Sequence, residues 1–319
     1  MAPPVSTTTT TTTLPVPQPL SSTTPVGTYS GLGPIERVPV PVLAPGALVP
    51  RADQLLAPYA PGVVKLAFRQ FGSGPDLLLV MGQHGTMTWW DPQLLNDLAG
   101  HFRVTVFDLP GTGYSAPLPG APSVESYADA TAGLIFGLQL HDPVVLGWGL
   151  GGTVALALAE RHPGILQRLV LVDATAGGPT SIPTAMGTAA ALASPSATLG
   201  ALSQLIFPKE AVAAREGWVD RLLELSPDDI VASGIASEAR VMSGLVRDAS
   251  VSHSLHTLKI PVLLIAGSQD SIVPAANSTT IAASIPRHQL VMVPDAGYGA
   301  LEQDEARLLA NLVSFATGT

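Results

Sequence analysis

Residues 144–161 read VVLGWGLGGTVALALAER. The apolar run Val144 to Leu146 leads without a polar break into Gly147-Trp148-Gly149-Leu150-Gly151-Gly152. From Leu150 to Arg161 the sequence is helical, and Pro163 stops it. A continuous apolar run marks a strand covered on both faces. The segment therefore reads as a short strand running straight into Gly147, followed by a helix.

The same beat extends outward. Val63 to Arg69 reads as an edge strand, Leu77 to Met81 as a buried strand, and Pro92 to Leu98 as a helix. Arg103 to Phe107 is again a strand, Val124 to Leu138 a helix and Leu169 to Val172 a buried strand. From Thr175 to Ser254 the beat is lost in Ala/Ser/Gly-rich, helix-leaning sequence broken by Pro195, Pro208 and Pro227. It resumes with strand Val262 to Ala266, helix Ala275 to Ser284, strand Leu290 to Val293 and one amphipathic helix, Ala300 to Phe315. Alternating short strands and helices predict an α/β fold with a doubly wound, mostly parallel sheet. The irregular stretch is expected to be a helical insertion over one edge, a cap of about 175–255.

The chain has 319 residues and 46% hydrophobic content, enough for one large core. A formal net charge of −9 with no Lys/Arg cluster disfavours nucleic-acid phosphates. With no cysteine, disulfides, thiolate metal sites and a Cys nucleophile are excluded. No apolar run approaches the roughly 20 residues that span a bilayer. Residues 1–50, with Thr7 to Thr13 and many prolines, are expected to be a disordered leader or linker, and 51–319 the folded domain. No basic n-region and apolar h-region form a signal peptide as written. The Thr/Pro tract suits a tether of an exported or cell-envelope domain, and equally a cytoplasmic tail, so the compartment is open.

Ligands of doubly wound sheets sit at the carboxyl ends of the strands. Five segments follow strands there: Gly82-Gln83-His84-Gly85; Asp108-Leu109-Pro110-Gly111-Thr112-Gly113; Gly147 to Gly152; Gly267-Ser268-Gln269-Asp270; and Asp295-Ala296-Gly297-Tyr298. In order and spacing, from about Val63 to Phe315, the chain resembles the α/β-hydrolase superfamily, in its esterase and C–C hydrolase branch. The resemblance implies an α/β-hydrolase fold with a cap, and an ancestry in the hydrolysis of esters or similar acyl compounds. The family's nucleophile is the central serine of G-x-S-x-G on a strand-to-helix turn; here that position is Gly149, so there is no Oγ. The family's histidine position is Tyr298, and its acid position is Asp270. The oxyanion amides correspond to those of Gln83 and Leu150, with His84, Trp148 and Trp89 around the pocket.

Two triad positions therefore lack the residue the chemistry needs. Losing Ser or His typically lowers kcat by roughly 10⁶-fold, and tyrosine, with a reference pKa of about 10, is no base near neutral pH. Ser115, in a surface-type loop, and Thr153, facing the packing, are poor substitute nucleophiles. Glycine adopts without strain the positive φ that the nucleophile position demands. The paired loss of Ser and His favours natural degeneration over an engineered knock-out. Asp108 and Asp173 read as structural, Trp90 as core, Gly111 and Gly113 as a turn, and His253 and His256 as exposed, without metal-ligand spacing.

The sequence thus points to a pseudoenzyme-like protein without a cofactor or metal, which binds a small apolar molecule or a protein partner. The alternative is a weak or atypical hydrolase or lyase acting on ester-like substrates through Asp270, Tyr298 and the oxyanion amides; enzyme status is left undecided.

Overall fold

The computed structural model describes residues 34–45, 59–83, 85–194, 196–223, 235–245, 247 and 249–318. Its strands are β1 (Glu36–Leu43), β2 (Tyr59–Gly72), β3 (Asp76–Val80), β4 (Arg103–Phe107), β5 (Val144–Trp148), β6 (Arg168–Val172), β7 (Val262–Gly267) and β8 (His288–Val293). They form one eight-stranded sheet in the order β1-β2-β4-β3-β5-β6-β7-β8. β1 and β2 pair antiparallel, as do β2 and β4, and every other pairing is parallel.

The all-apolar runs are buried throughout in β3, β5 and β7, as strands covered on both faces must be. Because side chains alternate, each strand feeds two cores. Leu78, Val80, Val145 and Leu171 pack with α2 (Val124–Gly137) and α3 (Leu150–Arg161). Leu77, Leu79, Leu146 and Val172 pack on the other side with α1 (Pro92–Ala99) and the C-terminal helix. Full burial of each such side chain contributes about 1.5–3 kcal/mol relative to exposure.

Between β6 and β7 the chain runs through α4 (Met186–Leu192), α5 (Leu199–Ile206), α6 (Val212–Leu223), α7 (Ile235–Leu245) and α8 (Ser250–Ser254). Then come α9 (Ala276–Ser284), α10 (Ala300–Gln303) and α11 (Glu305–Thr317). Trp218 and Leu222 of α6 and Leu202 of α5 bury against the second core. Arg221 of α6 donates from Nε to Asp91 Oδ2 at 2.6 Å, while Asp91 Oδ1 caps α1 through the Gln93 amide at 2.8 Å.

Three expectations are corrected. Residues 36–43 are not part of a disordered leader: they form β1, paired with β2 from Glu36↔Phe68 to Leu43↔Tyr59. Val38, Val40 and Leu43 are buried, and Pro39 and Pro41 are tolerated because β1 is the true edge. β2, read as the edge over Val63 to Arg69, lies inside it. The rest of the expected leader, residues 1–33 and 46–50, lies outside the described residues. The final helix breaks at Asp304, whose φ of −140° and ψ of 44° are not helical, giving α10 and α11. Among the described residues no helix is long and apolar enough to cross a membrane.

From β3 the chain crosses to β4 on one side and later to β5 on the other. That reversal opens a crevice at the carboxyl ends of β3 and β5, where a ligand site is expected.

Candidate active site

Gly149 is the pivot between β5 and α3. Its φ of 55° and ψ of −117° lie where a side chain is strained and glycine is not. Its amide donates to the Val172 carbonyl at 2.8 Å, pinning the turn to β6. The turn is tight because α3 starts against the sheet: a Cβ at Gly151 would run into the Val80 carbonyl oxygen. The elbow backbone is thus fully formed, and Leu150, buried at the first position of α3, presents a first-turn amide without an intrahelical acceptor.

Tyr298 fills the space that this backbone frames. A Cβ added at Gly149 would stand 1.7 Å from the Tyr298 phenol oxygen, hardly more than a covalent bond. One added at Gly82 would stand 2.6 Å from the same oxygen. Tyr298 Oη therefore lies close to where a nucleophile's oxygen would hang. Its ring stacks on Trp148 with centroids 5.0 Å apart and an interplanar angle of 26°. The Trp148 indole donates to the Tyr298 carbonyl at 2.9 Å. Trp148 in turn lies 5.8 Å from Trp90, and Trp89 meets Trp218 edge-on at 5.7 Å. Tyr298 is almost wholly buried, and its Oη has no hydrogen-bond partner among the described residues.

Asp270 follows β7 in a turn that its own carboxylate organises: Oδ1 accepts the amides of Ile272 at 2.7 Å and Val273 at 3.0 Å. Oδ2 has no partner among the described residues. Burial pushes this carboxyl up to about 7, against the pull of the two amides. Asp173, which the sequence reads as structural, follows β6 with a φ of 46°. Its Oδ1 accepts the Gly267 amide at 2.8 Å. Burial, and then the charge of Asp270, hold Asp173 well above the usual carboxylate range. The same burial and the fields of Asp270, Asp173 and Glu238, the last from α7, keep the Tyr298 phenol neutral far above its ordinary value. Asp173's place at a strand end was the available signal, but its proximity to Asp270 is a matter of tertiary structure.

Two cavities adjoin this centre. The smaller, about 20 Å³, is lined among others by Gly82, Gln83, Trp89, Trp148 and Tyr298. The larger, about 290 Å³, runs under α4 and α7 and shares Gln83, Leu192 and Ile272 with it. Of the expected site residues, Gln83, Trp89, Trp148 and Tyr298 line the smaller cavity. Gly149 lies against the Tyr298 phenol, Asp270 and Leu150 line neither cavity, and His84 lies outside the described residues. Ser115 is corrected: it is buried, its Oγ taking the Ala67 amide at 2.8 Å and donating to the Asp108 carbonyl at 2.7 Å. Thr153 is buried and donates to the Thr175 carbonyl at 2.7 Å. Asp108 holds the Met87 and Tyr114 amides at 2.7 and 2.8 Å, a structural task. Among the described residues no three His, Asp or Glu side chains converge as a metal site.

A family model described as "alpha/beta hydrolase fold" matches residues 77–304. A protein of Caulobacter sp. (strain K31) named "Putative carbamate hydrolase RutD" is 27% identical over 266 residues, 81% of this chain and 98% of its own. One of the same name from Stutzerimonas stutzeri is 30% identical over 72% of this chain and 87% of its own. Among solved structures, a thermophilic esterase from Thermogutta terrifontis superposes with a TM-score of 0.69 at 25% identity, covering 89% of this chain and 98% of its own. The esterase RhEst1 from Rhodococcus sp. ECU1013 matches in fold, with a TM-score of 0.66 at 24% identity, over 80% and 95%.

Proposed function

The chain belongs to the α/β-hydrolase family, and on that premise we propose that it binds a small, largely apolar molecule under the helices that follow β6, without hydrolysing it. One observation carries this reading: Tyr298 Oη occupies the volume into which any side chain at position 149 would grow. The elbow has neither an Oγ nor room for one. The hydrolytic relatives' names speak of carbamates and esters. Here the pocket floor that would present a nucleophile to such a carbonyl is a buried, neutral phenol. The 290 Å³ cavity remains, close to the lower end of the range of small-molecule sites.

A second reading has one observation in its favour. Asp270 has an unpartnered oxygen among the described residues and a carboxyl pushed up to about 7. It is therefore half-ionised near neutral pH, as a general base should be. In this reading Asp270, Tyr298 and the amides of Gln83 and Leu150 run a slow hydrolase or lyase reaction on ester-like substrates.

Turnover and cargo separate the two. The binding reading expects no hydrolysis of short-chain aryl esters above background and no labelling by a serine-directed fluorophosphonate. It also expects a small molecule extractable from purified protein and identifiable by mass spectrometry. Saturable esterase activity that co-elutes with the protein through repurification would overturn it in favour of the second reading.

A further inference from the structure

The polar groups of the crevice are very unevenly distributed. In the larger cavity nearly every polar side chain is already engaged. Asn277 uses both ends of its amide on Ile182, accepting from its N–H at 2.8 Å and donating to its carbonyl at 2.9 Å. Thr184 donates to the Ile272 carbonyl at 2.6 Å, Ser181 to the Gly177 carbonyl at 2.5 Å, and Thr175 to Ser181 Oγ at 3.1 Å. What remains for a ligand there is Gln83, shared with the smaller cavity, and the apolar wall of Leu192, Met242, Leu245, Ile272 and Val273.

At the junction with the small chamber the opposite holds. The Tyr298 hydroxyl and the Trp89 indole N–H, both from residues lining the chamber, are buried donors without a partner among the described residues. Leaving a buried donor unmade costs about 1–3 kcal/mol, so such groups persist where something else satisfies them. The chamber's 20 Å³ admits one water-sized group. No charged side chain lines either cavity among the described residues. Asp270, when ionised, acts on the phenol with a negative field that would also repel an anion.

We infer that the small chamber is the socket for the carbonyl oxygen of a neutral ligand, with Tyr298 Oη as its hydrogen-bond donor and the ligand's apolar body in the larger cavity. This rests on the binding reading above and specifies its ligand: an uncharged carbonyl compound, held by a group standing in the nucleophile's place. A carboxylate of the same shape is rejected, because it would bury a negative charge with no cation to meet it.

The test uses three near-isosteric probes, 4-phenylbutan-2-one, butylbenzene and 3-phenylpropanoate, titrated calorimetrically into protein extracted free of cargo and into its Tyr298→Phe variant. The variant keeps the ring that stacks on Trp148 and loses only the hydroxyl. The ketone is expected to bind the original protein and to lose about five- to tenfold in affinity in the variant, the scale of one hydrogen bond. Butylbenzene is expected to bind both proteins alike, which also reports an intact pocket in the variant. 3-Phenylpropanoate is expected to bind at least about tenfold more weakly than the ketone. If Tyr298→Phe changes ketone and hydrocarbon affinity by the same factor, or if the carboxylate binds best, the carbonyl socket is overturned while ligand binding stands. If none of the probes binds and no cargo is extracted, both fall together.

Discussion

Tyr298 and Gly149 are sterically complementary across about 150 residues of chain: the phenol oxygen of one fills the side-chain volume that the other lacks. Each residue makes the other's replacement costly. Positive φ alone charges a substitution at 149 about 1 kcal/mol. The Tyr298 hydroxyl adds a collision that only displacement of a buried aromatic side chain relieves.

Gly149→Ala is therefore expected to destabilise the protein by about 2–4 kcal/mol, overpacking added to backbone strain. In a Tyr298→Leu background the same change should cost only about 1 kcal/mol. Urea unfolding of the four proteins gives the coupling directly. Additive effects would mean that the phenol and the elbow are independent. Gly149→Ser follows the same logic: neither it nor Tyr298→His alone should yield esterase turnover, and any activity recovered should require both.

Much of this site was legible in the sequence, because strand–turn–helix spacing places residues at strand ends whatever the packing. Spacing places Gly149, Asp270 and Tyr298 after strands; the triad positions assigned to them are what the resemblance to the α/β-hydrolase superfamily implies. What spacing does not carry is reach. That the Tyr298 oxygen reaches the Cβ position of Gly149, with its ring stacked on Trp148, is a matter of tertiary packing. That Asp173 lies in the field of Asp270 is set by the pairing of β6 with β7. β1 was missed for another reason: Pro39 and Pro41 gave its alternation the look of a linker, and only pairing to β2 declares it a strand.

The Asp270 carboxyl makes stability depend on pH with a definite sign. Its folded value, about 7, lies above the unfolded reference near 4, so the folded state holds the proton more tightly. The contribution of Asp270 to stability should fall as pH rises from about 4 to 7 and level off above that. Asp270→Asn can keep the two amide hydrogen bonds to Oδ1 and removes the charge. It is expected to remove only the Asp270 share of that slope, because the buried carboxyls of Asp173, Glu160 and Glu302 are also pushed up, and to stabilise the protein by about 2 kcal/mol at pH 8. Denaturant midpoints across pH 4–8 check this. A slope unchanged by the substitution would assign the dependence to another group.

Asp91 joins α1 to α6, capping the first and accepting from Arg221 of the second while fully buried. Asp91→Ala should cost about 1–3 kcal/mol, since it removes the cap of α1 and leaves Arg221, more than a third exposed, to be solvated by water. Asp91→Asn, which keeps the cap, should cost about 1 kcal/mol less. Thermal unfolding of both variants decides it; equal losses would show that the cap contributes nothing.

Asn277 ties the segment at Ile182, one wall of the larger cavity, to α9. Asn277→Ala should destabilise by about 1–3 kcal/mol and speed hydrogen exchange of the Ile182 amide by tenfold or so, since that donor loses its partner. An unchanged exchange rate at Ile182 would mean that the wall is held by other contacts.

The chain has four tryptophans, and the ring contacts described above draw on all of them: Trp89 on Trp218, and Trp90 on Trp148 beneath the Tyr298 ring. No indole lies elsewhere to dilute their signal. Ultraviolet emission from the folded protein is therefore light from one place, the walls of the crevice and the layer behind them. Whatever enters or leaves the chamber perturbs chromophores within reach of it, so the protein carries its own optical reporter of occupancy.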